Sequence, residues 1–478
     1  MDELQQIIKG SALSSAGLIF AKAFGVLFSL LLARSLGPDG LGQFNLSVLL
    51  SSWFTVLGLF SIQTVVVQKM AETEANSQEF KKTISAAIFM SLAMGLLASG
   101  LHFALSGNIY LFFNKQVSLW HLQIGSAIIF GGILFNTVLG IERGLKHFGN
   151  YAVLEAGKAA GVLAIAAGML FAGYEVGAGI TALIFAPIVV SCIMMVVLLK
   201  YYDKNFWQKI IPMAKLGIPI TLLSILLVVL LNSDRLFLGA LQSKTDVGLY
   251  SVAITIVAFF GLFFPSAIKN TVFSFVTRTV VANQIEKTSY LLERTITYYI
   301  SMLSFTILPL MLFRNELIHL IFGEQFIAAA NLLAILLFAT PFMAVYSIAH
   351  SFIVSLNRFK EVIIATLISL AISIPAYILL IAKFGAVGAS LATVISTGLL
   401  AASYMLILKK AINNNLRKMA LLVAVIFLLT MAAFFGSGSL MVRSIYLLAL
   451  AIICAVFLYK FEYFTKEIEL LVKIKGGE

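Results

Sequence analysis

SALSSAGLIFAKAFGVLFSLLLARSLGPDGLGQFNLSVLLSSWFTVLGLFSIQTVVV, Ser11 to Val67, decides the fold class. It consists of two apolar runs, Ser11 to Ala33 and Phe44 to Val67, separated by the turn-forming residues Gly37-Pro38-Asp39-Gly40. Each run supplies the roughly 20 mostly apolar residues that a helix needs to cross a bilayer. Inside the first stands Lys22, with no acid within four residues of it. A cation at the centre of such a helix costs about 2.5–3.5 kcal/mol on insertion scales. It therefore marks a bundle interior or a water-filled path.

The same pattern continues along the chain. Of 478 residues, 61% are hydrophobic and 11% charged, and the mean hydropathy is +1.02. That composition belongs to membrane proteins and leaves no stretch for a soluble domain. Cutting at charged and Gly/Asn-rich punctuation predicts an all-α integral membrane protein of fourteen spans, the last two short. Loop charge supports the cut. Most of the 33 Lys and Arg collect on one side, leaving Arg34, Lys115, Lys244, Arg314, Lys383 and Arg443 on the other. By the positive-inside rule both termini are predicted cytoplasmic, in a multi-pass protein of the cell (cytoplasmic) membrane.

The net charge of +12 thus reads as a topology signal and a means of meeting anionic lipid headgroups. It is not a nucleic-acid footprint. The first apolar run is longer than a signal-peptide core, so no cleavage is expected. Cys192 and Cys454 fall inside predicted spans without metal spacing and read as packing residues. Phe461, Phe464, Ile468 and Leu471, at helical spacing among lysines, predict an amphipathic helix on the cytoplasmic surface.

A faint duplication runs through the sequence. Phe148 aligns with Phe359, and Val176-Gly177-Ala178 with Val387-Gly388-Ala389. Nearer the front, Gly42-Gln43-Phe44 aligns with Gly248-Leu249-Tyr250. Both shifts equal six spans, an even number, which predicts two parallel six-helix repeats about an axis along the membrane normal. The expected division is residues 1–199 for the first lobe, 200–408 for the second, and 409–478 for an appended helix pair with its cytoplasmic tail.

Catalytic signatures are missing from the sequence. Gly157-Lys158 is preceded by Ala152 where a phosphate-binding loop needs glycine, the five histidines form no HExxH, and there is no DxD. No enzyme, metal site or cofactor is expected. What remains is a set of polar residues within spans. Lys22, Arg235, Lys158, Gln63 and Asn136 are the candidate substrate-binding residues. Glu155 and Asp234 are the candidate ion-coupling or gating carboxylates. Glu155 lies three residues before Lys158, on the same helix face, so a local pair is available. Lys22 has no such neighbour. Cations lining a cavity suit an anionic substrate such as a phosphate or diphosphate.

Six stretches resemble the polysaccharide-transport family, the O-antigen-type flippases of the multidrug, oligosaccharidyl-lipid and polysaccharide exporter superfamily. They are ARSLGPDGLGQFN (Ala33 to Asn45), NSDRLFLG (Asn232 to Gly239), VGLYSVA (Val247 to Ala253), ELIHLIFGEQF (Glu316 to Phe326), SLNRF (Ser355 to Phe359) and GAVGASLATVIS (Gly385 to Ser396). The resemblance implies two parallel-repeat six-helix lobes around a central cavity, and alternating access that carries a polyprenyl-diphosphate-linked oligosaccharide from the inner to the outer leaflet. It implies membrane lipids, that glycan and other polysaccharide-assembly membrane proteins as partners. Because the sequence offers no ATP site, coupling to H+ or Na+ is the expected energy source. A cation-coupled multidrug exporter or a lipid II-type flippase of the same fold is the alternative. Lys22 matches a basic first helix that lines the cavity in such flippases.

Overall fold

A computed structural model describes residues 3–74, 77–263, 276, 279–280, 284–356, 358–412, 416–436 and 440–460. The predicted C-terminal amphipathic helix and Pro265 lie outside these residues. The chain divides into two compact units, Met1–Ser251 and Val252–Glu478. Every regular element among the described residues is helical. Among the described residues, ten helices are long and apolar enough to cross a membrane, and two shorter apolar helices, Ala420–Phe434 and Met441–Val456, follow them.

The first unit contains α1 (Glu3–Leu59), α2 (Ile62–Ala71), α3 (Gln78–Phe112), α4 (Leu119–Gly144), α5 (Phe148–Phe171), α6 (Glu175–Leu198), α7 (Trp207–Leu241) and the first turns of α8 (Lys244–Ala258). α1 joins the first two apolar runs across a kink. Gly37 there takes φ 65°, which glycine adopts without a Cβ clash, and Pro38 brings no N–H to continue the ladder. α1 packs on α5 closely: a Cβ at Gly17 would stand 2.5 Å from the Ala152 Cα. At the Lys/Arg-rich end, Ile62, Val66 and Met70 of α2 close a core with Ile84 of α3, Ile141 of α4 and Met213 of α7.

Two glycines that the sequence alignment pairs lie inside this unit. Gly42 and Gly248, which the repeat aligns, meet the neighbouring turn reciprocally. A Cβ at Gly42 would lie 1.7 Å from the Lys244 carbonyl oxygen, and one at Gly248 would lie 1.9 Å from that of Pro38. This is the geometry of an isologous contact, in which one patch meets its own copy. Only glycine permits that approach. Asp39 closes it, accepting a hydrogen bond from Thr245 and pairing with Lys244 at 3.5 Å.

The second unit continues through the end of α8 into a π-helical turn, Phe259–Phe263. It then holds α9 (Ile285–Leu312), α10 (Arg314–Phe322), α11 (Ala329–Leu336), α12 (Thr340–Ser355), α13 (Phe359–Ile412), α14 (Leu416–Phe434) and α15 (Leu440–Lys460). α13, like α1, is two helices across a glycine kink, here Gly385 at φ 58°. Buried tyrosines tie its two halves: Tyr377 pairs with Thr393 at 3.1 Å and Tyr404 with Thr366 at 3.3 Å. On α10, burial opposes ionisation of Glu316. Even so, hydrogen bonds from Arg443, with Arg314 nearby, hold its carboxyl below the ordinary range.

The predicted span Phe44 to Val67 is not one unbroken helix: it is interrupted at Phe60 and Ser61, with φ 49° and 53°. The break is held from outside: the Phe60 carbonyl lies against Gly217 of α7, where a Cβ would come within 2.4 Å.

Candidate functional site

The polar residues within apolar helices of the first unit fall into three groups. On α1, the stripe Gly17, Phe28 and Leu31 faces α5, while Lys22 projects from the accessible side among the exposed Ile19, Phe20 and Val26. Lys22 is exposed, whereas Lys158 and Arg235 are half-buried.

Along α5, Tyr151, Glu155 and Lys158 occupy positions i, i+4 and i+7, one face of the helix. Arg143, at the end of α4, donates to the Tyr151 hydroxyl at 2.5 Å and stacks over its ring. Lys158 lies 3.4 Å from a Glu155 carboxylate oxygen, with its ammonium 4.4 Å from the centre of the Phe135 ring. A cation over an aromatic face gains about 0.5–2 kcal/mol according to its desolvation. The result is a line of two cations and one carboxylate joining α4 to α5. Sequence spacing pointed to the Glu155–Lys158 part. It missed Arg143 and Tyr151, because the link crosses a helix turn.

The third group ties α7 to α8. Asp234 is buried and accepts a hydrogen bond from the Tyr250 hydroxyl at 2.7 Å and another from the Arg235 backbone N–H. The Arg235 guanidinium donates to Asn232 at 2.5 Å, and its Nε stands 3.9 Å from Asp234. These residues therefore hold one another. Gln63 and Asn136 belong to none of the groups. Gln63 sits on α2 against Gly140 of α4, and the Asn136 amide folds back onto the Gly132 carbonyl at 2.7 Å. Among the described residues, no three of His, Cys, Asp and Glu come together as metal ligands would.

Two cavities lie at opposite ends of α4. One, of about 650 Å³, is bordered by Arg143, Lys146, His147, Phe80 and Tyr201. The other, of about 920 Å³, is bordered by Trp120, His121, Gln123, Tyr174 and Glu175. The first is basic. The second has no Lys or Arg in its lining.

A family model described as polysaccharide biosynthesis protein matches residues 31–331, well over half of the chain. The chain belongs to that family. It is 26% identical over 163 residues to a probable low-salt glycan biosynthesis flippase, Agl15, of Haloferax volcanii. That alignment covers 34% of each protein, so this chain matches about a third of the relative's length. Among solved structures, the lipid II flippase MurJ in an inward closed conformation superposes with a TM-score of 0.76 at 15% identity, covering 94% of this chain and 99% of that one. A multidrug resistance MATE family transporter of the MOP superfamily, inward-facing, gives 0.69 at 12% identity, covering 84% and 98%. The fold is that of MOP-superfamily transporters, in a multi-pass membrane protein.

Proposed function

We propose that this family member is a flippase for a polyprenyl-diphosphate-linked oligosaccharide, an O-antigen or other surface polysaccharide repeat unit, working by alternating access. The observation that carries the reading is Lys22: an exposed lysine halfway along the otherwise apolar run Ser11 to Ala33, suited to a diphosphate. Arg235 is the second cation of the substrate path, and Lys158 the third, with Gln63 and Asn136 hydrogen-bonding the glycan. Glu155 and Asp234 respond to the coupling ion, H+ or Na+. The lipid tail stays in the bilayer. Other polysaccharide-assembly membrane proteins receive the product.

The topology that goes with it has fourteen crossings. The kinks at Gly37 and Gly385 each divide one long helix into two, and the two shorter apolar helices supply the last pair. Its lobes, residues 1–199 and 200–408, are units of the sequence repeat, and residues 409–478 carry the appended pair and tail. Both termini face the cytoplasm in the cell membrane.

Lys22→Ala tests the reading. Glycan export is expected to fall to background while protein level and unfolding temperature hold, and Lys22→Arg is expected to retain export. Full export by Lys22→Ala overturns the anion-contact role. Loss of dye resistance on deletion, with surface glycan intact, would identify the multidrug-exporter alternative instead. Accumulation of lipid II in the inner leaflet would identify the lipid II flippase.

A further inference from the structure

We propose that the larger cavity of the first unit, at the α4 end bearing Trp120, is a binding site for a neutral sugar residue. The assignment rests on the glycan-flippase reading, and on the loop-charge topology this end faces the outer leaflet. Its lining draws on five helices, α1, α3, α4, α5 and α6, and on the turn between the last two. α1 contributes Gln43, α4 contributes Trp120, His121 and Gln123, the α5–α6 turn contributes Tyr174, and α6 opens with Glu175. At about 920 Å³ it lies within the ordinary range of small-molecule sites, roughly 300–1,000 Å³.

The chemistry of the lining selects the ligand. Trp120 and Tyr174 stand 65% and 57% exposed, so their ring faces remain free to cover an apolar face of a ligand. Gln43 and His121 approach each other at 3.5 Å and offer a paired amide and imidazole. The side chains of Gln123 and Glu175 make no hydrogen bond or ion pair among the described residues. A sugar ring presents an apolar face of C–H groups and a rim of hydroxyls, each both donor and acceptor. Amides, imidazole and carboxylate together match that rim.

Other ligand classes match less well. A phosphate has no cation to meet it here, since the basic side chains gather in the other cavity. Interfacial aromatic residues also gather at membrane surfaces, where headgroups cover them. Trp120 and Tyr174 differ from such a belt in sharing one concavity with four polar side chains, which acyl chains would leave unpaired. An organic cation could use the two rings and Glu175, but it would leave three neutral polar groups idle.

The test uses the full chain in lipid nanodiscs, since sugar-based detergents would compete. The protein has three tryptophans, and Trp53→Phe with Trp207→Phe leaves Trp120 as the sole reporter. Its fluorescence is titrated with glucose, galactose, mannose and N-acetylglucosamine, their disaccharides, and separately with tetraphenylphosphonium. The expected result is a saturable response to at least one saccharide, weakened about tenfold by Gln123→Ala with Glu175→Ala, as two lost hydrogen bonds predict. A response to tetraphenylphosphonium alone, or to nothing, overturns the site. Retention of the same saccharides in radiolabelled form by the unaltered chain, competed by unlabelled sugar, covers the case in which the variants do not fold. Flipping of a lipid-linked glycan by reconstituted unaltered chain is measured alongside. Flipping without saccharide binding overturns the site and leaves the function standing. Binding without flipping supports the site and overturns the function.

Discussion

Two irregular stretches of helix, one in each unit, solve the same problem by different means. In the first unit the chain breaks between α1 and α2 at Phe60 and Ser61. In the second it loosens into the π-helical turn Phe259–Phe263. The predicted repeat pairs the second span with the eighth, the two spans that carry these irregularities. Backbone freed from its ladder inside hydrocarbon must find partners within the protein. At Phe60–Ser61 the hydrogen bonds are local, because the Ser61 carbonyl accepts from the N–H groups of Thr64 and Val65 at 2.9 and 3.0 Å. The neighbouring helix contributes shape: Gly217 admits the Phe60 carbonyl. At the π turn it is a hydrogen bond that comes from outside, donated by the Tyr299 hydroxyl to the Phe260 carbonyl. One irregularity is held by a close fit and the other by a donor. Paired interruptions in corresponding spans are the feature that points to a transport path in repeat-built transporters.

The largest effect should come from destroying the fit. Gly217→Leu places a Cβ 2.4 Å from a backbone oxygen, which cannot swing aside, so the α2–α7 packing must move. A loss of about 3 kcal/mol, the upper part of the overpacking range, is expected in unfolding of the nanodisc-held protein. Gly261→Leu, in the π turn, is the matched control. There the overlap is shallower, with the Met343 Cβ at 2.9 Å, its Sδ at 3.2 Å and the nearest backbone oxygen, that of Thr340, at 3.3 Å, and a smaller loss is expected. Equal losses would break the distinction between the two segments.

Tyr299→Phe comes next, because it removes the donor and leaves the π turn in place. An unpaired buried carbonyl costs about 1–3 kcal/mol. Unfolding should shift accordingly, with amide hydrogen exchange rising in Phe259–Phe263 and not in α2. Unchanged exchange in the π turn would show that Tyr299 is ornamental there.

The sequence disclosed these segments unevenly, for physical reasons. Span existence was legible because bilayer thickness imposes length and apolarity, and the kinks at Gly37 and Gly385 carry the residue that positive φ favours. The Phe60–Ser61 break was hidden because neither residue is glycine, and its cause lies in α7, far along the chain. Glu155 and Lys158 could be paired from spacing alone, whereas Tyr250 on Asp234 and Arg143 on Tyr151 depend on how helices meet. The polar cavity was invisible for the same reason: Gln43, His121 and Glu175 come from three different helices. Lys22 was expected near the midplane of its span, and only the packing of α1 on α5 reveals that it occupies the accessible face.

The smallest effect belongs to the one hydrogen bond that α7 gives the broken span, between the Thr221 and Ser61 hydroxyls at 2.9 Å. Thr221→Val keeps the shape and removes the hydroxyl. Because the Ser61 carbonyl is already satisfied, and the Ser61 hydroxyl can turn back to its own helix, the loss should be that of an average interhelical bond in a membrane, about 0.6 kcal/mol. Unfolding of the single variant checks this. So does the double variant with Ser61→Ala, in which the second change should cost almost nothing more. A loss as large as that of Tyr299→Phe would mean that this break, too, is held by a donor. The contrast between a fitted and a hydrogen-bonded interruption would then collapse into two forms of the same device.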